Sequence, residues 1–278
     1  MPGWRALLLG ITLLAGLAQA EGERILRFGS YATERPTEEL RKMEPFRQAI
    51  EQNLRAKGLP VKIDVRIFPT YEEGIKALRQ GDIDFSRLGP ASYVLARQQA
   101  PNLTLMAIEA HEGDKLFSGV IVVRQDSPIK ALADLKGRRM AFGDPNSTTG
   151  RYLAQATLLK AGIQAKDLAS FSYLGRHDKV VYAVSNGLFD AGACNERTFQ
   201  KYADARSLRV LASFPSPTQA WVARAGLDLP MLKALQTTLL GLQGSALDYV
   251  DRNGLLPAND ADYDSLRQAM KHAKGFGE

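Results

Sequence analysis

Ser147, Thr148 and Thr149 place three hydroxyls in a row, between the breakers Asp144-Pro145-Asn146 and Gly150. From Arg151 onward the apolar residues Leu153, Ala156, Leu158 and Leu159 recur at helical spacing, and Gly162 reads as a C-terminal stop. One hydroxyl is enough to cap a helix, so a run of three suits a second task. A helix start leaves about four backbone N–H groups unpaired and carries roughly half a positive charge. Delivered by a strand, here "RRMAFG" (138–143), such a turn attracts an anion, and each O–H can donate to a tetrahedral oxyanion. A capping serine followed by two incidental threonines fits the same local pattern. Two enzymatic readings fail outright. The turn has no GxxxxGK[ST] and no lysine, so it is not a Walker loop. No G-x-S-x-G elbow surrounds Ser147, which excludes a serine-hydrolase nucleophile of that type.

Other chemistry-bearing residues are sparse. The chain has one cysteine, Cys194, so no internal disulfide can form, and Cys194 is expected as a small buried hydrophobe. The three histidines, His111, His177 and His272, lack metal-ligand spacing, and neither a metal nor a cofactor is expected. The net charge of +6 is spread along 278 residues without a basic-aromatic stripe, which points to a solvated basic surface and away from nucleic acid. The first twenty residues have one cation, Arg5, an apolar run from Ala6 to Leu17 and the ending Ala18-Gln19-Ala20. They read as a secretory signal cleaved after Ala20, which places the mature chain in the periplasm.

The elements that must position the turn alternate in type. Strand patterns fall at 25–31, 61–68, 83–89, 103–109, 119–124, 138–143, 169–175, 190–194, 208–214 and 220–224. Helical patterns fall at 37–57, 71–80, 150–161, 177–187, 230–240 and 260–273. Such alternation predicts mostly parallel sheets covered by helices, an α/β fold. The stretches "GDKLFSG" (113–119) and "SFPSPTQ" (213–219) are candidate crossings between two lobes. Lobe I is then 21–118 plus 215–278 and lobe II the inserted 119–214, with a small-ligand cleft between them.

"GDPNSTTG" resembles the DPNST-type signature of the substrate-binding proteins of phosphate/phosphite/phosphonate ABC transporters (PhnD-type). "YEEGIKALRQGDIDF" (71–85), "LGPASYVLA" (88–96), the rest of 120–150 and "GRHDKVVYAVSNGLFDAGA" (175–193) agree in order, so the likeness spans most of the mature chain. It implies a type II periplasmic-binding-protein fold, two α/β lobes joined by two crossings and closing on a ligand. It implies that Ser147, Thr148 and Thr149 hold phosphonate oxygens, that Tyr71 supplies a phenol, and that His177 lines the site. Without the family, His177 reads equally as a core or surface histidine. Glu196 falls near the acid that meets a ligand amine in aminophosphonate binders, and it also fits an ordinary surface helix.

Two departures bear on specificity. In "DFSRLGP" the family's cleft-facing aromatic pair is replaced by Arg87 and Leu88. A guanidinium at the carboxyl end of a strand can hold an oxyanion bidentately, or it can pair with a nearby acid such as Asp84. "SPTQAW" lacks the family's second acid, which argues for a plainer anion than an amine-bearing zwitterion. Tyr31 at the end of the first strand and Arg151 after the turn are weaker candidates. The sequence therefore predicts an exported, monomeric, non-enzymatic solute-binding protein for phosphate, phosphite or a small phosphonate. The resemblance makes a membrane permease of an ABC transporter its partner; the alternative is a ligand sensor presenting its closed state to a membrane kinase.

Overall fold

The computed structural model describes residues 23–31, 36–250 and 253–277. The signal-peptide reading of residues 1–20 lies outside them. The chain begins β1 (Arg24–Tyr31), α1 (Pro36–Ala56), β2 (Val61–Phe68), α2 (Tyr71–Gln80), β3 (Phe85–Leu88), α3 (Pro90–Gln99) and β4 (Thr104–Glu109). A second group follows: β5 (Leu116–Arg124), β6 (Arg139–Phe142), α4 (Leu153–Lys160), β7 (Ser170–Tyr173), α5 (His177–Ser185), β8 (Ala191–Asn195), α6 (Glu196–Arg206) and β9 (Leu208–Pro217). The chain closes with β10 (Ala220–Ala223), α7 (Leu229–Leu240), β11 (Leu255–Leu256) and α8 (Asp264–Ala273).

Two sheets result, in the orders β11-β4-β10-β3-β1-β2 and β7-β6-β8-β5-β9. Each forms one α/β lobe. The chain enters the second sheet between Glu109 and Leu116 and leaves it between Pro217 and Ala220. The sheets are mixed, where the alternation predicted mostly parallel ones. The pairs β1–β2, β1–β3, β6–β7 and β6–β8 are parallel, as crossover helices require. Strands β5, β9 and β10, which carry the chain between sheets, run against their neighbours β8, β3 and β4. A strand that returns from the other lobe enters from the opposite end and has to pair antiparallel. Among the described residues, no helix is long and apolar enough to cross a membrane.

The helices α3 and α6 have no counterpart among the expected patterns. "PASYVLARQQ" has no strong apolar stripe, and "ERTFQKYADAR" is polar nearly all round, so neither gives the periodic signal that marks a surface helix.

Packing shows how the lobes hold together. On one face of the first sheet, α1 and α7 bury Phe46, Ile50 and Leu235 against Phe28 and Trp221, whose rings stack 5.6 Å apart. On its other face, Leu78, Leu88 and Tyr93 belong to a core continuous with Ile121, Met140 and Phe142 of the second sheet. The last helix bridges the two. Tyr263, just before α8, packs on Tyr93 at 4.7 Å, while Phe276, just after it, meets Phe142 and Phe171 edge-on at 5.7 and 5.9 Å. Cys194 is fully buried among Val120, Val122 and Val181.

Candidate ligand-binding cleft

The hydroxyl turn starts its helix in an unusual way. Residues Thr148–Tyr152 form a π-helical turn that runs into α4, with Ser147 as the N-cap and its Oγ accepting from the Gly150 N–H at 3.0 Å. π turns are rare and recur at functional sites. Gly150 is required by close approach: a Cβ there would sit 2.8 Å from Ser147 Oγ and 2.9 Å from Gly143 Cα. Gly143, at the end of β6, donates its N–H to the Gly150 carbonyl at 2.8 Å, tying strand to turn.

The three hydroxyls have separate jobs. Ser147 caps the turn and is also hydrogen-bonded to the Tyr71 phenol. Thr148 Oγ1 accepts from the Ala91 N–H at 2.8 Å, in the first turn of α3, so it joins the lobes. Thr149 is 2% exposed, and its hydroxyl has no partner among the described residues. Accepting a bond leaves a hydroxyl's own hydrogen available, so Ser147 and Thr148 keep donor capacity beside Thr149.

Tyr31 and Tyr71 stack across the floor at 3.7 Å between ring centroids. Tyr31 Oη donates to Ser92 Oγ at 3.0 Å and accepts from the Gly89 N–H. Burial pushes the Tyr31 phenol up to about 12 and the Tyr71 phenol well above its usual value, so both stay protonated donors. The buried Asp144 carboxyl accepts from Asn146 N–H at 2.7 Å and, more distantly, from Tyr71 N–H at 3.5 Å, a third link between lobes.

His177 opens α5. It is 4% exposed, and its Nδ1 is buried with no hydrogen-bond partner. Burial lowers its pKa to about 4, so the ring is a neutral imidazole near neutral pH. Glu196 opens α6 half-buried, with no ion pair among the described residues. Arg151 is turned away: its Nη1 donates to the Pro145 carbonyl at 2.6 Å, and the guanidinium covers the Tyr152 ring at 4.6 Å.

Arg87 is ion-paired, and its partner is not the nearby Asp84 that the sequence offered as an alternative to a ligand. Asp84 is taken by Arg224 at 2.8 Å, whereas Arg87 faces Glu109 from the last position of β4. Nε donates to one Glu109 oxygen and Nη2 to the other at 2.8 Å.

All eight residues singled out from the sequence (Ser147, Thr148, Thr149, Tyr71, Arg87, His177, Glu196 and Tyr31) line one cavity of about 210 Å³ between the lobes. Its lining also includes Glu39, Lys42, Glu109, His111, Asp248 and Tyr249, none of which the sequence marked. Only Glu109 carried a signal, as an acid closing the apolar strand "LTLMAIE". Of the acids in the lining, the sequence marked only Glu196. Glu39, Glu109, Glu196 and Asp248 line the cavity against three cations, Lys42, Arg87 and Arg197. Glu39, Glu109 and Asp248 come from α1, from the end of β4 and from the segment after α7, which comparison at one motif could not reveal.

Residues 28–263 match the sequence pattern of a family described as the periplasmic substrate-binding protein of phosphonate ABC transporters. A Prochlorococcus marinus protein named as a probable ABC transporter phosphite-binding protein is 36% identical over 162 residues, 53% of this chain and 53% of its own. An Escherichia coli phosphonates-binding periplasmic protein is 30% identical over 195 residues, 68% of this chain and 56% of its own. The aligned stretches thus span only about half the length of these relatives. In fold, the chain resembles a Prochlorococcus marinus structure solved with methylphosphonate, with a TM-score of 0.81 at 24% identity, covering 91% of this chain and 99% of that one.

Proposed function

This chain belongs to the periplasmic substrate-binding proteins of phosphonate ABC transporters, and from that membership we propose that it captures phosphate, phosphite or a small phosphonate in the cleft and delivers it to a membrane permease. The observation that carries the reading is the hydroxyl turn, with three O–H groups lining a cavity beside an unpartnered, neutral His177. Hydroxyls and backbone N–H groups at a helix start solvate an oxyanion without themselves being charged, and the tyrosine phenols add two further donors. The relatives support the ligand class, since those named here are described as phosphite- or phosphonate-binding.

Capture works without covalent chemistry. Lobe I, built on the first sheet, closes on lobe II, built on the second sheet from Leu116 to Pro217, and the bonds from Ala91 N–H to Thr148 and between Tyr71 and Ser147 form as the walls meet. The ligand completes the donor set and so favours the closed arrangement. Export by the leader with cleavage after Ala20 places the mature chain in the periplasm, where one copy acts alone.

A thermal-shift panel tests the reading. Phosphite, methylphosphonate or phosphate raises the melting temperature with the logarithm of its concentration, while amino acids and sugars do not. A response confined to amino acids or sugars overturns it.

A further inference from the structure

Arg87, Trp221 and Glu109 lie on three adjacent strands, β3, β10 and β4, with Trp221 opposite Arg87 in the ladder. The Glu109 carboxylate is 2% exposed and accepts three hydrogen bonds, two from Arg87 and one from Trp221 Nε1 at 3.1 Å. The Arg87 guanidinium also lies 5.3 Å from the centre of the Tyr249 ring. Two of its five N–H groups are spent on Glu109, and the other three have no partner among the described residues. Arg87 therefore offers the cavity hydrogen-bond donors whose charge is already neutralised.

The rest of the lining carries no positive excess to replace it. Glu39 faces Arg87 from α1, Tyr249 from the segment after α7 and Tyr31 from β1, and Lys42 and Asp248 line the same cavity. Beyond them lie His111, His177, Glu196 and Arg197, so the ionised side chains sum to one net negative charge. A singly charged oxyanion can be held here by neutral donors. A second charge on the ligand would be desolvated in a lining whose acids outnumber its cations.

We propose that Glu109, by neutralising Arg87 and fixing its orientation, sets the charge selectivity of the cleft, so that a phosphorus oxyanion is taken as the monoanion in preference to the dianion. This rests on the ligand class proposed above. Glu109 acts as a positioning residue, through Arg87.

The probe is phosphite, whose second ionisation lies near neutrality, titrated calorimetrically at about pH 5.5 and about pH 8.5. The full chain is used, and each variant is checked first by its melting curve. His111→Gln is built into every protein so that this imidazole does not contribute to the profile. Without further change, affinity falls by about tenfold or more at the higher pH. Glu109→Gln keeps the shape and an acceptor for Trp221 while freeing the Arg87 charge, so the fall shrinks below about threefold and the dianion binds more tightly than before. Arg87→Gln/Glu109→Gln, with both charges gone, restores the monoanion preference at lower affinity, and it serves the test if Glu109→Gln does not fold. Equal pH slopes in the reference protein and Glu109→Gln, or a lost preference in the double variant, overturn the proposal. Failure of the reference protein to bind phosphite, methylphosphonate or phosphate at either pH overturns the proposed function itself.

Discussion

On the lobe II side of the cleft, Ser147, Thr148, Thr149 and His177 come from two short stretches and are uncharged near neutral pH, while Glu196 and Arg197 at the start of α6 supply that side's charges as one acid and one base. The facing wall gathers Tyr31, Tyr71, Arg87, Glu109 and Tyr249 from five separate stretches, and its centre is a buried ion pair. The first wall is made by local chain geometry at helix starts. The second is made by sheet order, which sets β3, β10 and β4 side by side although Arg87 and Trp221 lie far apart in the chain. Dipoles at helix starts need no counter-charge, whereas a buried guanidinium does. The two walls should therefore respond differently to mutation, one in ligand affinity and the other in stability.

The largest contrast is expected at Arg87. Arg87→Ala leaves the Glu109 carboxylate buried and unpaired, and breaking a buried pair in this way costs about 3–5 kcal/mol. Denaturant melts without ligand should show that loss, and the Arg87→Met/Glu109→Leu variant should recover most of it. An Arg87→Ala protein as stable as the parent would mean that the pair is not held as described.

The hydroxyl turn and its neighbour form an uncharged patch of the lobe II wall only if His177 is neutral. The folded pKa is lowered to about 4 by burial, whereas an unfolded histidine takes its proton near 6.5. Between these values the unfolded chain binds more protons, so stability rises with pH there. The contribution is complete above about pH 6.5 and is lost as pH falls toward 4, amounting to roughly 3 kcal/mol at most. Urea melts at stepped pH should be shallower over that window in His177→Gln than in the parent. Parallel curves would place a charged imidazole in the cleft and end the contrast between the walls.

Thr149 sharpens the comparison from the affinity side. Its hydroxyl has no partner among the described residues, so Thr149→Val should leave the ligand-free melt almost unchanged. Losing one donor to a charged ligand should weaken phosphite or methylphosphonate binding by about 1.5–3 kcal/mol. A fall in apo stability with unaltered affinity would assign Thr149 to the scaffold.

Legibility in the sequence followed the same division. The strand patterns at 25–31 and 61–68 and the helix at 71–80 fall almost where β1, β2 and α2 lie, because alternation and helical period are local signals. The hydroxyl turn was visible for the same reason, since capping residues, glycine and strand are contiguous. The two-residue β11 is too short to show a period. Arg87 was visible as an odd residue at a strand end, but its partner was not. Asp84 is near in sequence, while Glu109 reaches Arg87 only because β10 is inserted between β3 and β4. The bridging role of α8 was equally hidden, because nothing in its amphipathic pattern says that Phe276 will reach Phe142 in the other lobe.

The smallest expected effect separates cap from cradle within the lobe II wall itself. Ser147 Oγ accepts from Gly150 N–H at 3.0 Å, and removing an N-cap hydroxyl typically costs about 1 kcal/mol whether or not ligand is present. Ser147→Ala should lower the ligand-free stability by that amount. Thr148 is a different case, because its Oγ1 accepts from Ala91 N–H across the cleft. Thr148→Val should leave each lobe intact and weaken the closed arrangement, so its loss should appear in ligand affinity and scarcely in the apo melt. The two variants differ by a single hydroxyl at adjacent positions, so their melts and titrations can be compared directly. The absence of a capping defect in Ser147→Ala would show that the start of the π turn is held by the backbone bonds Tyr152 N–H to Ser147 O and Gly143 N–H to Gly150 O alone. All three hydroxyls would then be free for the ligand, and the division of labour along the turn would have to be abandoned.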